Sequence, residues 1–457
     1  MKKIYFLVLA LGLFTEAGAQ VITIPDAAFK TRLLEASPSQ GIAKDIHGNN
    51  ITIDMNHNGE IEVSETLNVT SLFVFHMPAM HDLTGVGSFA NLRNLYCYNL
   101  ALSSANVTSL TNLVELELTF CDLESVNVTG LTHLKKLLVD KNQLHDLNLT
   151  GLSGLERLSC DNNQLTNLNV SQLSNLKYLH CNNNQLLSLD ITGLSHLNEV
   201  LCTNNQLLTL NLTGLTGLQS LSCGNNQLTS LNATGSHNLE YLYCTNNHIT
   251  NLNVSGLTNL EYLYCHLNQL ASLNVSGLTN LTDMYCSSNQ LTNLDVNGLS
   301  NLTTLACDNN NLGAILFKDT GYTGGVNDIF TFSNNPNLVL VCTNDSKISL
   351  VQNIVNQYNY VNCAVGSSCT VLNSDDFASA PVFSVYPNPT HDVLNIDGDD
   401  AIKFTSIHIY NTLGQLVYNI PNAQNSKTVD VSNLASGNYF IKVSSDRGIS
   451  NIKFIKN

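Results

Sequence analysis

Basic residues are scarce in this chain. Lys and Arg number 19 against 35 Asp and Glu, giving a formal net charge of −16 over 457 residues. That balance argues against a nucleic-acid or anionic-membrane partner held through phosphate contacts. Long apolar runs are also missing. Beyond the first residues, no stretch approaches the roughly 18 apolar residues that a membrane-spanning helix requires. No Cys-x-x-Cys pair and no spaced His pair offers a tetrahedral metal site. No glycine-rich loop follows a strand to cradle a phosphate. Histidines are scattered, and His180 and His266 are expected beside tyrosines rather than beside a carboxylate or nucleophile. The chain therefore reads as a protein that is not an enzyme.

What the chain does have is a period. Cys160, Cys181, Cys202, Cys223, Cys244, Cys265, Cys286 and Cys307 are spaced every 21 residues, and an Asn follows each three positions later, from Asn163 to Asn310. In-phase leucines run from Leu92 to Leu302. A fixed period of this length marks a solenoid, because one repeat cannot bury its own leucines and must stack on copies of itself. The segment from the second Leu to just past the Cys alternates in and out, as a short strand does. Successive strands then pair in parallel about 4.8 Å apart. The Asn amides are placed to bond backbone groups of neighbouring turns. The return path is too short for a full helix and reads as extended chain or a single tight turn.

The pattern L-x-x-L-x-C-x-x-N-x-L, as in Leu155, Leu158, Cys160, Asn163 and Leu165, resembles the leucine-rich repeat motif, with Cys where Leu is usual. The fold expected is a β-dominated α/β-type solenoid: a right-handed parallel-strand leucine-rich repeat with a helical N-terminal cap. The stacked cysteines read as buried free thiols, because parallel neighbours at strand spacing fit disulfide geometry poorly. Val139 in the same slot supports an apolar requirement rather than a thiol one. Cys342, Cys363 and Cys369 lie outside the period; a disulfide among them is plausible, with the short Cys363–Cys369 loop as one choice.

The ends differ from the middle. Lys2-Lys3, the apolar run to Phe14, and Ala17-Gly18-Ala19 read as a secretory signal over residues 1–19. Residues 20–91 form an N-terminal cap and a first irregular repeat. There, Ile24 to Leu34 reads as a helix with Pro25 at its start, and Phe29, Leu33 and Leu34 would cover the open core. Residues 54–65 fit the calcium-loop pattern D-x-[DN]-x-[DN]-G-x5-E. Asp54, Asn56 and Asn58 would give side-chain oxygens, Glu60 its carbonyl, Glu65 both carboxylate oxygens, and Glu62 a contact through water. Calcium there would be structural, tying the cap to the first turn. The bland alternative is an Asn- and Gly-rich turn with scattered acids. Repeats span 92–322, and a C-terminal cap spans 323–370, with a helix from Ser349 to Tyr358.

After a linker at 371–384, residues 385–457 change to short alternating strands, as expected of a small Ig-like β-sandwich. Tyr386-Pro387-Asn388-Pro389, Leu434-Ala435-Ser436-Gly437-Asn438-Tyr439 and Lys453-Phe454-Ile455-Lys456 resemble the C-terminal sorting domain of the type IX secretion system. The resemblance implies the secretion machinery as a partner, and a protein secreted or attached at the outer-membrane surface.

Outward strand positions should form the concave face. They carry Tyr178 and His180, Tyr241 and Tyr243, Tyr262, Tyr264 and His266, and Tyr285, with Tyr96 and Tyr98 as a second spot. Contiguous tyrosines favour interfaces. They also simply favour strands, and neighbouring repeats copy one another. The expectation is a non-enzymatic exported binding protein that recognises a protein or polysaccharide through this face. The alternative is a structural envelope or matrix component without a discrete ligand.

Overall fold

The computed structural model describes residues 20–367, 383–398, 403–411, 416–421, 423, 427–445 and 448–457. The expected signal segment and most of the linker fall outside these residues. The chain divides into two units, Met1–Ser368 and Cys369–Asn457.

The first unit is built on one 14-stranded sheet. Its regular strands are short, such as Arg157–Ser159, Tyr178–His180, Glu199–Leu201, Ser220–Ser222, Tyr241–Tyr243, Tyr262–Tyr264 and Asp283–Tyr285. All pair in parallel and in register, so Leu221 lies beside Leu242 and Leu242 beside Leu263. A short antiparallel strand, Ala43–Lys44, closes the N-terminal edge against Ser71–Met77. The repeat strand ends one residue before the cysteine rather than beyond it. The cysteine N–H still reaches the next turn: Cys160 N donates to His180 O at 2.8 Å. The return path is extended, and in places it forms a second, narrower ladder, as where Ser230–Asn232 pairs with Asn251–Asn253.

Each turn hides its in-phase leucines. Leu218, Leu221 and Leu228 are fully buried, and the same positions repeat along the core. A leucine removed from water in this way contributes about 2 kcal/mol. Cys160 to Cys307 are likewise buried and free. Burial pushes their thiols upward, in Cys202 to about 12, so they remain protonated and act as small apolar groups.

Polar backbone at the bend is satisfied by the asparagines. Asn226 Nδ2 donates to Cys202 O and Cys223 O, both at 3.0 Å, and its Oδ1 accepts from Leu207 N at 3.0 Å. The same three bonds recur at Asn163, Asn184, Asn205, Asn247, Asn268, Asn289 and Asn310. Where Cys121 replaces the asparagine, its thiol donates to Cys97 O at 3.6 Å, a weaker bond of the same direction. At the far end Asn335 continues the ladder, and the Tyr360 hydroxyl closes it, accepting from Asn335 N at 2.8 Å and donating to Phe332 O at 2.9 Å. Phe332 occupies the slot that the cysteines fill earlier.

Just before each ladder asparagine the chain turns left-handed. Asn162, Asn183, Asn204, Asn225 and Asn246 hold φ between 52° and 56°. Asparagine tolerates this region better than other side chains because its amide bonds locally. Leu267 and Ser288 hold the same φ of 56° without that help.

The caps depart from expectation in detail. The first helix is Ala27–Leu34, capped by Asp26, whose carboxylate accepts from Phe29 N at 2.9 Å. Pro25 therefore precedes the helix instead of opening it. Phe29 and Leu33 are fully buried, and Leu34 is partly buried. The closing helix, Ile348–Gln357, buries Val351 and Val355. Before it, the strand Ile329–Thr331 extends the main sheet. It was not anticipated, because the glycine-rich stretch from Gly321 interrupts the period. Cys363 is free and Cys342 is disulfide-bonded, so the short Cys363–Cys369 loop is not the pairing formed.

The second unit has two antiparallel sheets, one of three strands and one of four. Their shared core includes Leu394, Ile396, Ile407, Ile409, Ile441 and Phe454. The strands are Phe383–Tyr386, Val393–Gly398, Phe404–Asn411, Leu416–Ile420, Thr428–Asp430, Gly437–Ser445 and Gly448–Lys456, in keeping with the short alternating strands expected of this region.

Two substitutions test these devices by denaturant unfolding. Asn226→Ala strands the buried Leu207 N–H, removes one of two amide donors from each of the Cys202 and Cys223 carbonyls, and should cost about 2–4 kcal/mol. Leu267→Asn should stabilise by about 0.5–1 kcal/mol, because Leu267 is 50% exposed and loses little burial while gaining a suitable backbone residue. An unchanged midpoint in either variant would contradict the assigned role.

Candidate binding face and cap loop

On each strand the residues flanking the buried leucine project outward. Parallel register then sets identical side chains side by side at strand spacing. Tyr241 and Tyr262 stack with ring centroids 4.6 Å apart and planes 4° apart. Tyr243 stacks on Tyr264 at 4.4 Å, and Tyr264 on Tyr285 at 4.8 Å. Two parallel columns of rings result. Five of the expected face residues thus meet directly, and His266 joins them edge-on to Tyr285 at 6.5 Å.

The environment favours the neutral forms of Tyr264, Tyr241 and His266. Burial, then the neighbouring Tyr243 and Asp283, push the Tyr264 phenol to about 12. Tyr241 is also raised, by burial and by Tyr262, Glu261 and Glu240. Burial lowers His266, whose Nδ1 is enclosed without a hydrogen-bond partner. The hydroxyls remain available as both donors and acceptors.

Tyr178 and His180 stand apart, with the strands Glu199–Leu201 and Ser220–Ser222 between them and the columns. Tyr178 lies under the Arg157 guanidinium, 5.4 Å from the ring centroid. His180 is beside a carboxylate after all: its Nε2 makes a short contact with Glu199 Oε1. The expectation of no acidic neighbour failed because Glu199 is one full turn away in sequence and adjacent only through register.

Near the N-terminal end a second aromatic group is larger than the sequence indicated. Tyr96 stacks on Phe73 at 4.9 Å and donates to Glu115 Oε2 at 2.8 Å. Tyr98 meets Phe120 at 6.3 Å and His76 at 5.4 Å. Phe73 and Phe75 were missed because they precede the first in-phase leucine. Phe120 was missed although it carries a signal, an exposed aromatic where most turns place asparagine.

The cap loop folds around its own amides. Asp54 accepts from Asn58 N at 3.2 Å and Gly59 N at 3.0 Å. Asn56 Oδ1 accepts from Asn58 N at 3.0 Å, and Asn58 Oδ1 from Glu60 N at 2.8 Å. Gly59 makes the sharp turn at φ 82°. Glu65 accepts from Met55 N at 2.7 Å and from Glu62 N at 3.0 Å. Glu60 pairs with Lys30 at 2.7 Å, tying the loop to the first helix. Burial, and then contact with Glu62, raises the Glu65 carboxyl, so two acids share this end of the loop. Among the described residues, no group of three His, Cys, Asp or Glu side chains is placed to hold a metal. The donor set for calcium would include amides and a carbonyl as well as carboxylates. All are oxygen donors, as calcium requires.

Residues 384–457 match the secretion system C-terminal sorting domain family. The functional domain of InlJ from Listeria monocytogenes, which includes a cysteine ladder, is similar in structure, with a TM-score of 0.56 and 20% identity over 96% of this chain and 100% of that one. An internalin, InlF, from Listeria monocytogenes gives a TM-score of 0.52 and 21% identity over 76% of this chain and 96% of that one. No curated protein sequence matches the chain. The first unit thus has the leucine-rich repeat fold. The tail is a type IX sorting domain, marking the protein as secreted or attached at the outer-membrane surface. No helix among the described residues is long and apolar enough to cross a membrane.

Proposed function

We propose that this exported leucine-rich repeat protein is a non-enzymatic recognition module that engages an extracellular protein or glycan through the tyrosine columns. The observation that carries the reading is the in-register stacking of Tyr241, Tyr243, Tyr262, Tyr264 and Tyr285 on an otherwise small-residue stretch of sheet. Tyrosine offers large rigid contact area and a polar tip at low rotamer cost. Adhesion is the role that fits a rigid repeat carrying an export tail. Tyr178 and His180 serve the same face from a separate position, already engaged with Arg157 and Glu199.

Calcium in the cap loop belongs to the same reading. Asp54, Asn56, Asn58, Glu65 and the Glu60 carbonyl supply the oxygens, and a cation would offset the adjacent Glu62 and Glu65 charges. Its role is to fix the cap on the first turn, with no part in ligand contact.

Binding is tested on arrays of glycans and extracellular proteins. Replacing Tyr241, Tyr243, Tyr262 and Tyr264 with Ser should abolish a binding signal while leaving the circular dichroism spectrum unchanged, since Ser220 and Ser222 already occupy these positions in the preceding turn. Undiminished binding would reject the face. For the loop, millimolar calcium should raise the thermal midpoint, by mass action, in the wild type and not in Glu65→Gln. An equal shift in both would reject the site.

A further inference from the structure

Between Lys177 and Lys318 the sequence contains no lysine or arginine. Six successive sheet strands lie within that interval, from Tyr178–His180 to Asp283–Tyr285, together with Thr304–Ala306 beyond them. Acids are not excluded in the same way. Glu199 and Asp283 are outward strand residues, and Glu240 and Glu261 act on the Tyr241 phenol. Among the described residues of the first unit, ion pairs with Lys or Arg lie in the cap and turns on the N-terminal side, such as Lys135 and Lys177 with Glu156. The tyrosine columns therefore stand among acids that no lysine or arginine offsets, His180 against Glu199 being the one basic partner described there.

The rings cover one another along the columns, so little ring face is left between neighbours. The columns stop at Ser220 and Ser222, which pair directly with Tyr241 and Tyr243. Serine is too short to cover a phenol ring, so the first two rings keep a face open toward that turn. On the far side of the gap, Glu199 pairs with Ser220; its Oε1 is held by His180 Nε2, which leaves Oε2 for a cation. A side chain entering above the serines meets aromatic faces on one side and a carboxylate on the other. That combination suits a guanidinium or ammonium group. The same sheet already contains one example of the contact, in Arg157 over Tyr178.

We infer that the tyrosine face, taken as the binding surface proposed above, engages a lysine- or arginine-rich extended polypeptide, with one cationic side chain seated above Ser220 and Ser222 between Tyr241, Tyr243 and Glu199. Neighbouring cations of the partner lie toward Glu240, Glu261 and Asp283. A neutral sugar gains nothing from this charge distribution. An anionic one is repelled by it.

The test uses the full chain and a fluorescein-labelled oligo-arginine peptide in an anisotropy titration. Dextran and chitooligosaccharide serve as neutral glycan probes. The wild type should bind the peptide, with affinity roughly tenfold or more weaker when salt rises from about 0.05 M to about 0.5 M. Ser220→Lys fills the gap with a competing cation and should weaken binding about tenfold or more at constant salt. Ser230→Lys makes the same change in net charge at an exposed position on the return strand and should leave binding unchanged. Equal weakening by both lysine variants would reduce the effect to bulk charge and overturn the inference. So would failure to bind the peptide. If a neutral glycan binds and the Tyr→Ser variants abolish that binding, the tyrosine face stands as the binding surface and its cationic partner is refuted. If the peptide binds equally well to the Tyr→Ser variants, both the face and its partner are refuted.

Discussion

The structure depends on one constraint: every turn must satisfy its own bent backbone while hiding its leucines. The ladder asparagine does the first by reaching into two turns at once. It donates to carbonyls in its own turn and the previous one, and accepts an amide N–H from that previous turn. A buried donor or acceptor left alone costs more than a made bond gains. The ladder therefore holds each bend in register on the one before it, with a constant interval through the regular repeats and extra residues accommodated between Asn310 and Asn335 without loss of its bonds. Constant length in turn keeps leucine against leucine and cysteine against cysteine.

Two consequences reach the surface. The first is the left-handed residue beside each asparagine, which tolerates exceptions such as Leu267 because it faces solvent. The second is register. Since no strand slips, a tyrosine repeated at one position becomes a column of rings, and the absence of lysine and arginine over several turns becomes a property of a whole face. Chemistry that is sparse in sequence thus becomes dense on one face. The same register puts Glu199 against His180 and Arg157 over Tyr178. None of these pairs is close in sequence.

The interruptions obey the same rule. Cys121 substitutes a weak thiol donor for an amide, and Tyr360 ends the ladder with a hydroxyl that both accepts and donates. These replacements are legible only once the partner carbonyls are located. The cysteine slot is simpler. Val139 and Phe332 fill it in other turns, so it selects for apolar volume, with the local width of the core deciding how much.

The interval of 21 residues, the positions of Leu, Cys and Asn, and the turn chemistry around them were sufficient for the solenoid, its parallel sheet and its buried thiols. They also identified which residues point outward, because alternation about a buried leucine is a local property. The export tail was legible from its strand and turn segments, and the sharp turn of the cap loop from Gly59 and the Asp and Asn residues around it. Three things needed the tertiary structure. The strand ends before the cysteine, which lies two residues ahead of the left-handed position. The strand at Ile329 was hidden because a glycine-rich insertion breaks the period without breaking the ladder. The partners of His180, Tyr178 and Phe120 emerged only from register. Periodicity fixes what each residue does within its turn; contact between turns depends on how those turns stack, and that is decided by packing across the whole solenoid.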